Sequence, residues 1–236
     1  MSADPSATPR APYHLYTAPT PNGYKVSVAL EEMGLDYDVT FVDLIVGEQK
    51  TPEFLMLNPN GKIPVLIDRE AGDFAIMESG AILLWLADKH QRLIPEEPLL
   101  RSRVVQWLMF QMGGLGPMMG QANVFHRYFP ERIEPVIDRY QRESLRLLMV
   151  LDAQLARDPF LVGDEFTIAD IANWTWARGY EWSGVAIDGL PHLQRWLAEL
   201  ENRPGCARGV QVPFDAVARR RDEAAAFTRA GQEVIS

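Results

Sequence analysis

Two short segments carry polar groups at points where helices are predicted to begin. The turn Thr20-Pro21-Asn22-Gly23 leads directly into a helical pattern, so unpaired backbone N–H groups, a hydroxyl and an amide are expected at one spot. An anion is stabilised there, because the N-terminus of a helix carries partial positive charge. The segment Glu78-Ser79-Gly80 has the same character. Ser79 and the following N–H groups can hold a carboxylate, while Glu78 can hold an ammonium group.

Together the two segments describe a zwitterionic ligand with a second negative centre. For either segment taken alone, ordinary N-capping of a helix is the favoured interpretation. A third segment, Lys62-Ile63-Pro64-Val65, places a proline immediately before a predicted strand. A cis bond there would turn the N–H and C=O groups of Ile63 outward as an unpaired edge, which a peptide ligand can use.

Other kinds of chemistry have little support in the sequence. The histidines lack the spacing of metal ligands and are isolated from one another: His14, His90, His126 and His192. No Gly-x-Ser-x-Gly motif is present, and Cys206 is interpreted as a small packed or surface thiol. The glycine-rich segment 113–120 follows a helix and lacks the lysine of a phosphate loop, which argues against nucleotide binding. Glycine and proline there instead predict a bend and a close approach of another backbone or a ligand.

The elements that must position these groups alternate between strand and helix patterns up to about residue 90. Strands are predicted over 14–17, 37–41, 65–67 and 74–77. Helices are predicted over 24–33, with Gly34 as the cap, and from Ser79 onward. The resulting order is β-α-β followed by β-β-α.

Strand patterns disappear in the second part of the chain. Helical apolar spacing recurs over 99–112, 133–155, 168–180 and 193–200, which predicts an all-helical domain. Thr167, with Asp170 three positions later, is a capping-box variant that fixes a helix start. The predicted division is a disordered tail (1–12), a first domain (13–90), a linker (91–97), a helical domain (98–212) and a second tail (213–236).

Composition and charge restrict the partners and the compartment. The 236 residues are 47% apolar and 23% charged, as in globular proteins, and the net charge of −9 opposes attraction to nucleic acid or anionic lipid. No apolar stretch approaches the roughly 18 residues of a membrane span, and no signal peptide is apparent, so neither export nor membrane insertion is expected. Cys206 is the single cysteine and cannot form an intramolecular disulfide, which favours the cytoplasm.

Several motifs resemble those of the glutathione transferase family. Residues 58–66 resemble its cis-proline segment, 78–82 its γ-glutamyl site and 166–170 its helix-capping motif. The likeness covers about residues 13–210 and implies a thioredoxin-like N-terminal domain (βαβ-ββα) followed by an all-helical domain. More narrowly, the Thr20–Gly23 turn, with 106–108 and 113–118, is similar to the bacterial Nu class, which is related to fungal nitrogen-regulator-like transferases.

The resemblance implies bound glutathione, no metal and a defined set of contacts. These contacts are Thr20, Asn22, Gln49, Lys62, the backbone of Ile63, Glu78 and Ser79. It also implies a homodimer in which Arg139 reaches the site of the other subunit; the alternative is an ordinary surface arginine on a helix. The commonest family patterns place a tyrosine, serine or cysteine at the thiol-activating position, and this sequence departs from them. Tyr16 ends the first strand, but the Nu-class likeness points to Thr20 and Asn22 as catalytic residues.

Disulfide reduction is the function that this likeness favours. A thiol of pKa about 8.5 is mostly protonated at neutral pH, and the thiolate is the nucleophile, so N–H groups beside Asn22 would activate glutathione. Because Cys206 is alone, both sulfurs must come from ligands, either two glutathione molecules or the oxidised dimer. The expected partner is a small-molecule disulfide. Conjugation of glutathione to an electrophile and a non-catalytic glutathione-binding regulator remain as alternatives.

Overall fold

The computed structural model describes residues 10–213. The predictions for the two tails therefore concern mainly residues outside the described range, namely 1–9 and 214–236. Just inside that range, the carbonyl of Pro12 accepts a hydrogen bond from the backbone N–H of Arg69 at 3.0 Å. Among the helices of residues 10–213, none combines the length and the apolar character needed to cross a membrane.

A four-stranded sheet forms the first half of the structure. Its strands are β1 (Tyr13–Thr17), β2 (Tyr37–Phe41), β3 (Val65–Asp68) and β4 (Phe74–Met77). They lie in the order β2-β1-β3-β4, and only the β1–β2 pair is parallel. The helices of this half are α1 (Pro21–Met33), α2 (Pro52–Leu57) and α3 (Ser79–His90). The predicted thioredoxin-like order is confirmed, and α2 is an addition in a stretch with no clear pattern.

The second half is built from helices, as predicted. They are α4 (Pro98–Phe110), α5 (Gly116–Asn123), α6 (Glu134–Leu155), α7 (Ile168–Ala177), α8 (Pro191–Glu201) and α9 (Pro204–Gly209). Wider π-helical turns follow α4, at Gln111–Leu115, and α5, at Val124–Tyr128. The apolar spacing predicts α4, α6, α7 and α8 but not α5 or α9, because glycine and proline obscure the pattern in both. The glycine-rich segment thus continues the helical path through a π-helical turn.

One hydrophobic core joins the two halves. Leu15 and Val28 belong to the same buried cluster as Trp174 and Trp196 of the helical half. Gly209 of α9 approaches α1 so closely that a Cβ at this position would lie 2.5 Å from Cα of Val28. A smaller cluster covers the opposite face of the sheet: Val42, Phe54, Val65 and Ile67. Helix α1 is therefore held between the sheet and the helical half, and its first turn lies where the two meet.

Candidate active site

Three segments meet at one edge of the sheet. Tyr16 near the end of β1 lies opposite Val65 at the start of β3, and Val65 also lies opposite Met77 at the end of β4. The turn after β1, the cis Ile63–Pro64 peptide before β3 and the Glu78–Ser79 segment after β4 consequently share this edge. These are the three segments that the sequence patterns single out.

The turn that enters α1 holds two polar side chains in fixed orientations. Oγ1 of Thr20 accepts a hydrogen bond from the N–H of Gly23 at 3.2 Å. Oδ1 of Asn22 accepts two hydrogen bonds, from Nε1 of Trp176 and from Nζ of Lys25, both at 2.9 Å. Because two fixed donors occupy this oxygen, the Nδ2 group of the amide is the part left to contact a ligand.

The segment that enters α3 combines a buried hydroxyl with an exposed carboxylate. Ser79 is buried, and its Oγ accepts a hydrogen bond from Nζ of Lys25 at 3.3 Å. Glu78 is exposed, adopts a φ of 68° and makes no side-chain hydrogen bond with residues 10–213. A free carboxylate beside a hydroxyl and the first-turn N–H groups of α3 suits the ammonium and carboxylate of an amino acid.

Lys25 is a functional candidate that the sequence analysis missed. The side chain is 1% exposed, and its nitrogen lies within hydrogen-bond distance of Asn22, Ser79 and Gln111. Burial lowers the pKa of Lys25 to about 7, although the negative charge of Glu78 acts in the opposite direction. Lysine is seldom fully buried unless it is paired with an acid, and here its bonded partners are three neutral oxygens and, at 3.8 Å, the sulfur of Met112.

The side chains at this edge present donors to a ligand. The oxygens of Thr20, Asn22 and Ser79 each accept a hydrogen bond from the protein, so their hydroxyl hydrogens and amide N–H groups remain available. The first turns of α1 and α3 add backbone N–H groups. Such an arrangement favours an anion, either a carboxylate or a thiolate, because N–H and O–H donors stabilise negative charge.

The other candidate contacts border the cis peptide. The backbone N–H and C=O groups of Ile63 have no hydrogen-bond partner within the described part of the chain. Gln49 is 8% exposed, and its Oε1 has no partner among residues 10–213. The carbonyl of Gln49 lies so close to Gly61 that a Cβ on this glycine would come within 2.9 Å of it. The side chain of Lys62 is exposed. Gln49, Lys62 and Ile63 therefore lie along the same edge.

Three residues considered from the sequence have surroundings of a different kind. Arg139 is exposed on α6 and makes no hydrogen bond with the described residues. The ring of Tyr16 packs against Phe54 in the smaller cluster, with centroids 6.4 Å apart. Cys206 is 0% exposed, and burial raises the pKa of its thiol, to which the negative charge of Glu32 adds. Cys206 is thus a core residue. Within residues 10–213 there is no cluster of three or more potential metal-ligating side chains.

Local sequence patterns indicate a role at the site for one of three further residues, Lys25, and not for Gln111 or Trp176. Lys25 lies three residues after Asn22 on the same face of α1, and a lone lysine on a face that is otherwise apolar is a usable signal. Gln111 and Trp176 come from the helical half. Nothing in their local sequence indicates that they meet α1, because this contact depends on how the two halves pack.

The fold and the site define a thioredoxin-like protein that has hydrogen-bond donors gathered at one edge of its sheet and an appended helical domain. Residues 11–88 match the family model described as the glutathione S-transferase N-terminal domain. Residues 107–204 match the model of the glutathione S-transferase C-terminal domain. The chain belongs to the glutathione S-transferase family.

Individual relatives narrow this assignment. The chain is 41% identical to the Escherichia coli protein named disulfide-bond oxidoreductase YfcG, over 83% of this chain and 93% of that one. A Burkholderia graminis glutathione transferase, solved with two glutathione molecules per subunit, is 45% identical with a TM-score of 0.83, covering 89% of this chain and 91% of that chain. A Pseudomonas putida glutathione transferase, solved with one glutathione disulfide per subunit, is 41% identical with a TM-score of 0.83, covering 89% and 94%. The resemblance to the Nu class is confirmed.

Proposed function

We propose that this protein is a glutathione-dependent disulfide-bond reductase, which acts on small disulfides through the thiolate of bound glutathione. The proposal depends on one contrast within the chain. Cys206 is buried and its pKa is raised, whereas Thr20 and Asn22 present donors to a ligand at an accessible edge. The protein therefore supplies groups that stabilise a thiolate, and the ligand supplies the reacting sulfur. The relative named disulfide-bond oxidoreductase supports this assignment.

The proposed reaction consists of two thiol–disulfide exchanges. The thiolate of one glutathione attacks a sulfur of the substrate, the S–S bond breaks, and one thiol leaves after taking up a proton. The product is a mixed disulfide with glutathione. A second glutathione thiolate attacks the glutathione sulfur of this mixed disulfide and releases the second thiol. Two glutathione molecules are oxidised to one glutathione disulfide while the substrate is reduced. The ligands in the Burkholderia and Pseudomonas relatives support a site with room for both sulfurs.

Each part of glutathione is assigned to a part of the sheet edge. Glu78 binds the ammonium group of the γ-glutamyl residue, and Ser79 with the first turn of α3 binds its carboxylate. The free backbone groups of Ile63 pair with the cysteinyl part of the peptide. Thr20 and Asn22 are the catalytic residues, because their donors stabilise the thiolate more than they stabilise the thiol.

The remaining assignments concern the outer part of the ligand and the second subunit. Gln49 and Lys62 are proposed to contact the rest of the tripeptide, for which Lys62 offers an exposed positive charge. Arg139 is proposed to reach the site of the other subunit in a homodimer. Light scattering at micromolar concentration is expected to give about twice the 26.7 kDa of one chain. A measured mass near 26.7 kDa would exclude both the homodimer and this role of Arg139.

The proposed compartment is the cytoplasm. The reaction consumes reduced glutathione, and the cytosolic glutathione system keeps thiols reduced. The single cysteine of the chain agrees with this location.

Two substrates assayed side by side test the proposed function. Turnover of 2-hydroxyethyl disulfide with glutathione at neutral pH is expected to exceed turnover of an aryl halide. Higher turnover of the aryl halide would favour conjugation instead, which membership of the transferase family and the same thiolate-stabilising site support. Glutathione binding without turnover of either substrate would indicate a non-catalytic binding module.

A further inference from the structure

Lys25 lies where three elements of the fold meet. Its Nζ lies 2.9 Å from Oδ1 of Asn22 in α1 and 3.3 Å from Oγ of Ser79 in α3. It also lies 2.6 Å from Oε1 of Gln111, at the start of the π-helical turn after α4. In its protonated form Lys25 has three hydrogens and no lone pair, and these three oxygens are its nearest acceptors; Sδ of Met112 lies farther away, at 3.8 Å.

Protonated Lys25 can only donate hydrogen bonds, and it therefore fixes the polarity of its neighbours. Asn22 must turn its amide oxygen towards Lys25, and this leaves Nδ2 for a ligand. Ser79 must use a lone pair of its hydroxyl oxygen, and this leaves the hydroxyl hydrogen for a carboxylate. Without a donor at Lys25, the Ser79 hydroxyl could rotate freely, and only Trp176 would hold the amide of Asn22.

We propose that Lys25 is a positioning residue, which holds Asn22 and Ser79 with their donors towards the two ends of bound glutathione. This inference rests on the proposed function of the site. Lys25 acts through these two side chains, and its role is the orientation of their hydrogen-bonding groups.

The surroundings of Lys25 agree with a positioning role. Burying an ammonium group among neutral oxygens disfavours the folded state, and an apolar side chain of similar length would avoid that cost. The helical half nevertheless supplies a buried oxygen for it, from Gln111. Gly116 makes room for this amide, since a Cβ there would lie 2.4 Å from Nε2 of Gln111. The helical half therefore fixes the network twice, through Gln111 and through Trp176.

A double-mutant cycle between Lys25 and Asn22 tests the proposal. The full-length variants are K25M, N22A and the combination, because methionine has about the length of lysine without its donor. Two quantities are measured: kcat for 2-hydroxyethyl disulfide at saturating glutathione, and the ultraviolet absorbance of the thiolate of bound glutathione. The matched control is K89M, since Lys89 is a partly buried lysine of the same half, bonded to Asp68 at 2.8 Å.

The expected result is strong coupling between the two sites. K25M alone is expected to lower kcat on the order of 10²-fold and to reduce the thiolate absorbance, as misplacement of a catalytic group does. In the N22A background the same change is expected to alter kcat by less than about twofold, the usual limit for additivity. K89M is expected to lower the thermal unfolding temperature but to leave kcat and the absorbance unchanged. Equal effects of K25M in both backgrounds, or an effect of K89M as large as that of K25M, would overturn the proposal.

The variant K25Q separates orientation from charge and replaces K25M if that variant does not fold. Glutamine is neutral but keeps N–H donors, so it is expected to recover part of the kcat that K25M loses. A kcat for K25Q as low as that of K25M would mean that charge, and not orientation, is what Lys25 provides. One outcome is that the thiolate absorbance shows the expected coupling across the mutant cycle although the wild type reduces no disulfide. In that case only the proposed reductase function is overturned. If the wild type does not bind glutathione, both are overturned.

Discussion

The starts of α7 and α1 are both capped by a threonine, but they use their hydrogen bonds differently. At α7, the predicted capping box of Thr167 and Asp170 is confirmed. Asp170 is 0% exposed, and its carboxylate accepts hydrogen bonds from the N–H groups of Leu161 and Thr167 at 3.0 Å and from Nε1 of Trp196 at 3.1 Å. These three donors therefore find their acceptor within the chain.

At α1, the balance of donors and acceptors is different. Thr20 accepts a hydrogen bond from the first turn, and Asn22 accepts two, but the amide N–H groups of Asn22 have no acceptor among residues 10–213. One capping chemistry thus serves two purposes in this chain. A helix start whose donors are matched by acceptors stabilises the fold, whereas a helix start with unmatched donors can bind an anion.

The largest effect, a loss of stability, is expected when the acceptor at the start of α7 is removed. Asp170→Ala removes the acceptor of four buried donors, the three named above and the hydroxyl of Thr167, and a buried donor left unpaired costs about 1–3 kcal/mol. We expect the free energy of unfolding, measured by denaturant titration, to fall by roughly 3–5 kcal/mol, with unchanged glutathione affinity of the folded molecules. The exposed Asp188→Ala serves as the control and should change this free energy by about 0.5 kcal/mol or less. A similar loss in both variants would contradict the structural role given to Asp170.

The opposite behaviour is expected at α1, where Asn22→Asp should affect activity and spare stability. Aspartate keeps an oxygen for Lys25 and Trp176 but replaces the spare amide N–H groups with a second oxygen. We expect kcat to fall roughly 10²- to 10³-fold, as when a preorganised donor to an anion is lost, while the free energy of unfolding is unchanged or increased. Asn22→Ala should lose less activity, because Thr20 and the backbone N–H groups remain. Full activity of Asn22→Asp would show that the amide N–H groups do not face the thiolate.

The pH dependence of stability tests the burial of Lys25 at this start. Its pKa is about 7 in the folded protein, whereas an exposed lysine has a pKa of about 10.4. Between these values the unfolded chain binds a proton that the folded chain does not, so the free energy of unfolding should rise with pH, by at most about 1.4 kcal/mol per unit. The nearby charge that acts on this pKa is that of Glu78, which raises it against the larger effect of burial. Urea titrations from about pH 6 to about pH 10 should show this slope in the wild type and not in Lys25→Met. Parallel curves of unfolding free energy against pH for the wild type and Lys25→Met would contradict the lowered pKa of Lys25.

A smaller effect is expected at the exposed carboxylate beside α3. Glu78→Gln should raise KM for glutathione about fivefold, corresponding to the ~1 kcal/mol of an exposed ion pair, and leave kcat nearly unchanged. The reason is that the ammonium contact is the same in the ground state and the transition state. Glu70→Gln, an exposed carboxylate in the turn after β3, is the control and should leave KM unchanged. An unchanged KM with a large loss of kcat for Glu78→Gln would contradict the proposed role.

The difference between these two helix starts was only partly predictable from sequence. Local patterns predict Thr20 and Thr167 as caps, because capping involves residues close together in the chain. They do not show which start has unmatched donors, since this depends on distant partners. Asp170 meets Trp196, and Lys25 meets Ser79 and Gln111, through packing of the sheet and the helical half.

Three short helices and a π-helical turn are not predicted by the sequence patterns. The helix α2 has six residues, too few for a helical period to be recognised, and α5 and α9 contain glycine and proline. The π-helical turn at Gln111–Leu115 is fixed by tertiary contacts, among them the bond from Lys25 to Gln111.

The most direct test of the account is the activity of the chain without its cysteine. Cys206→Ala removes the single thiol of the protein, which is buried and has a raised pKa. We expect the variant to reduce 2-hydroxyethyl disulfide with glutathione at nearly the rate of the wild type, because both reacting sulfurs belong to ligands. A folded Cys206→Ala protein without turnover, beside an active Asn22→Asp variant, would contradict the claim that bound glutathione supplies the reactive thiolate.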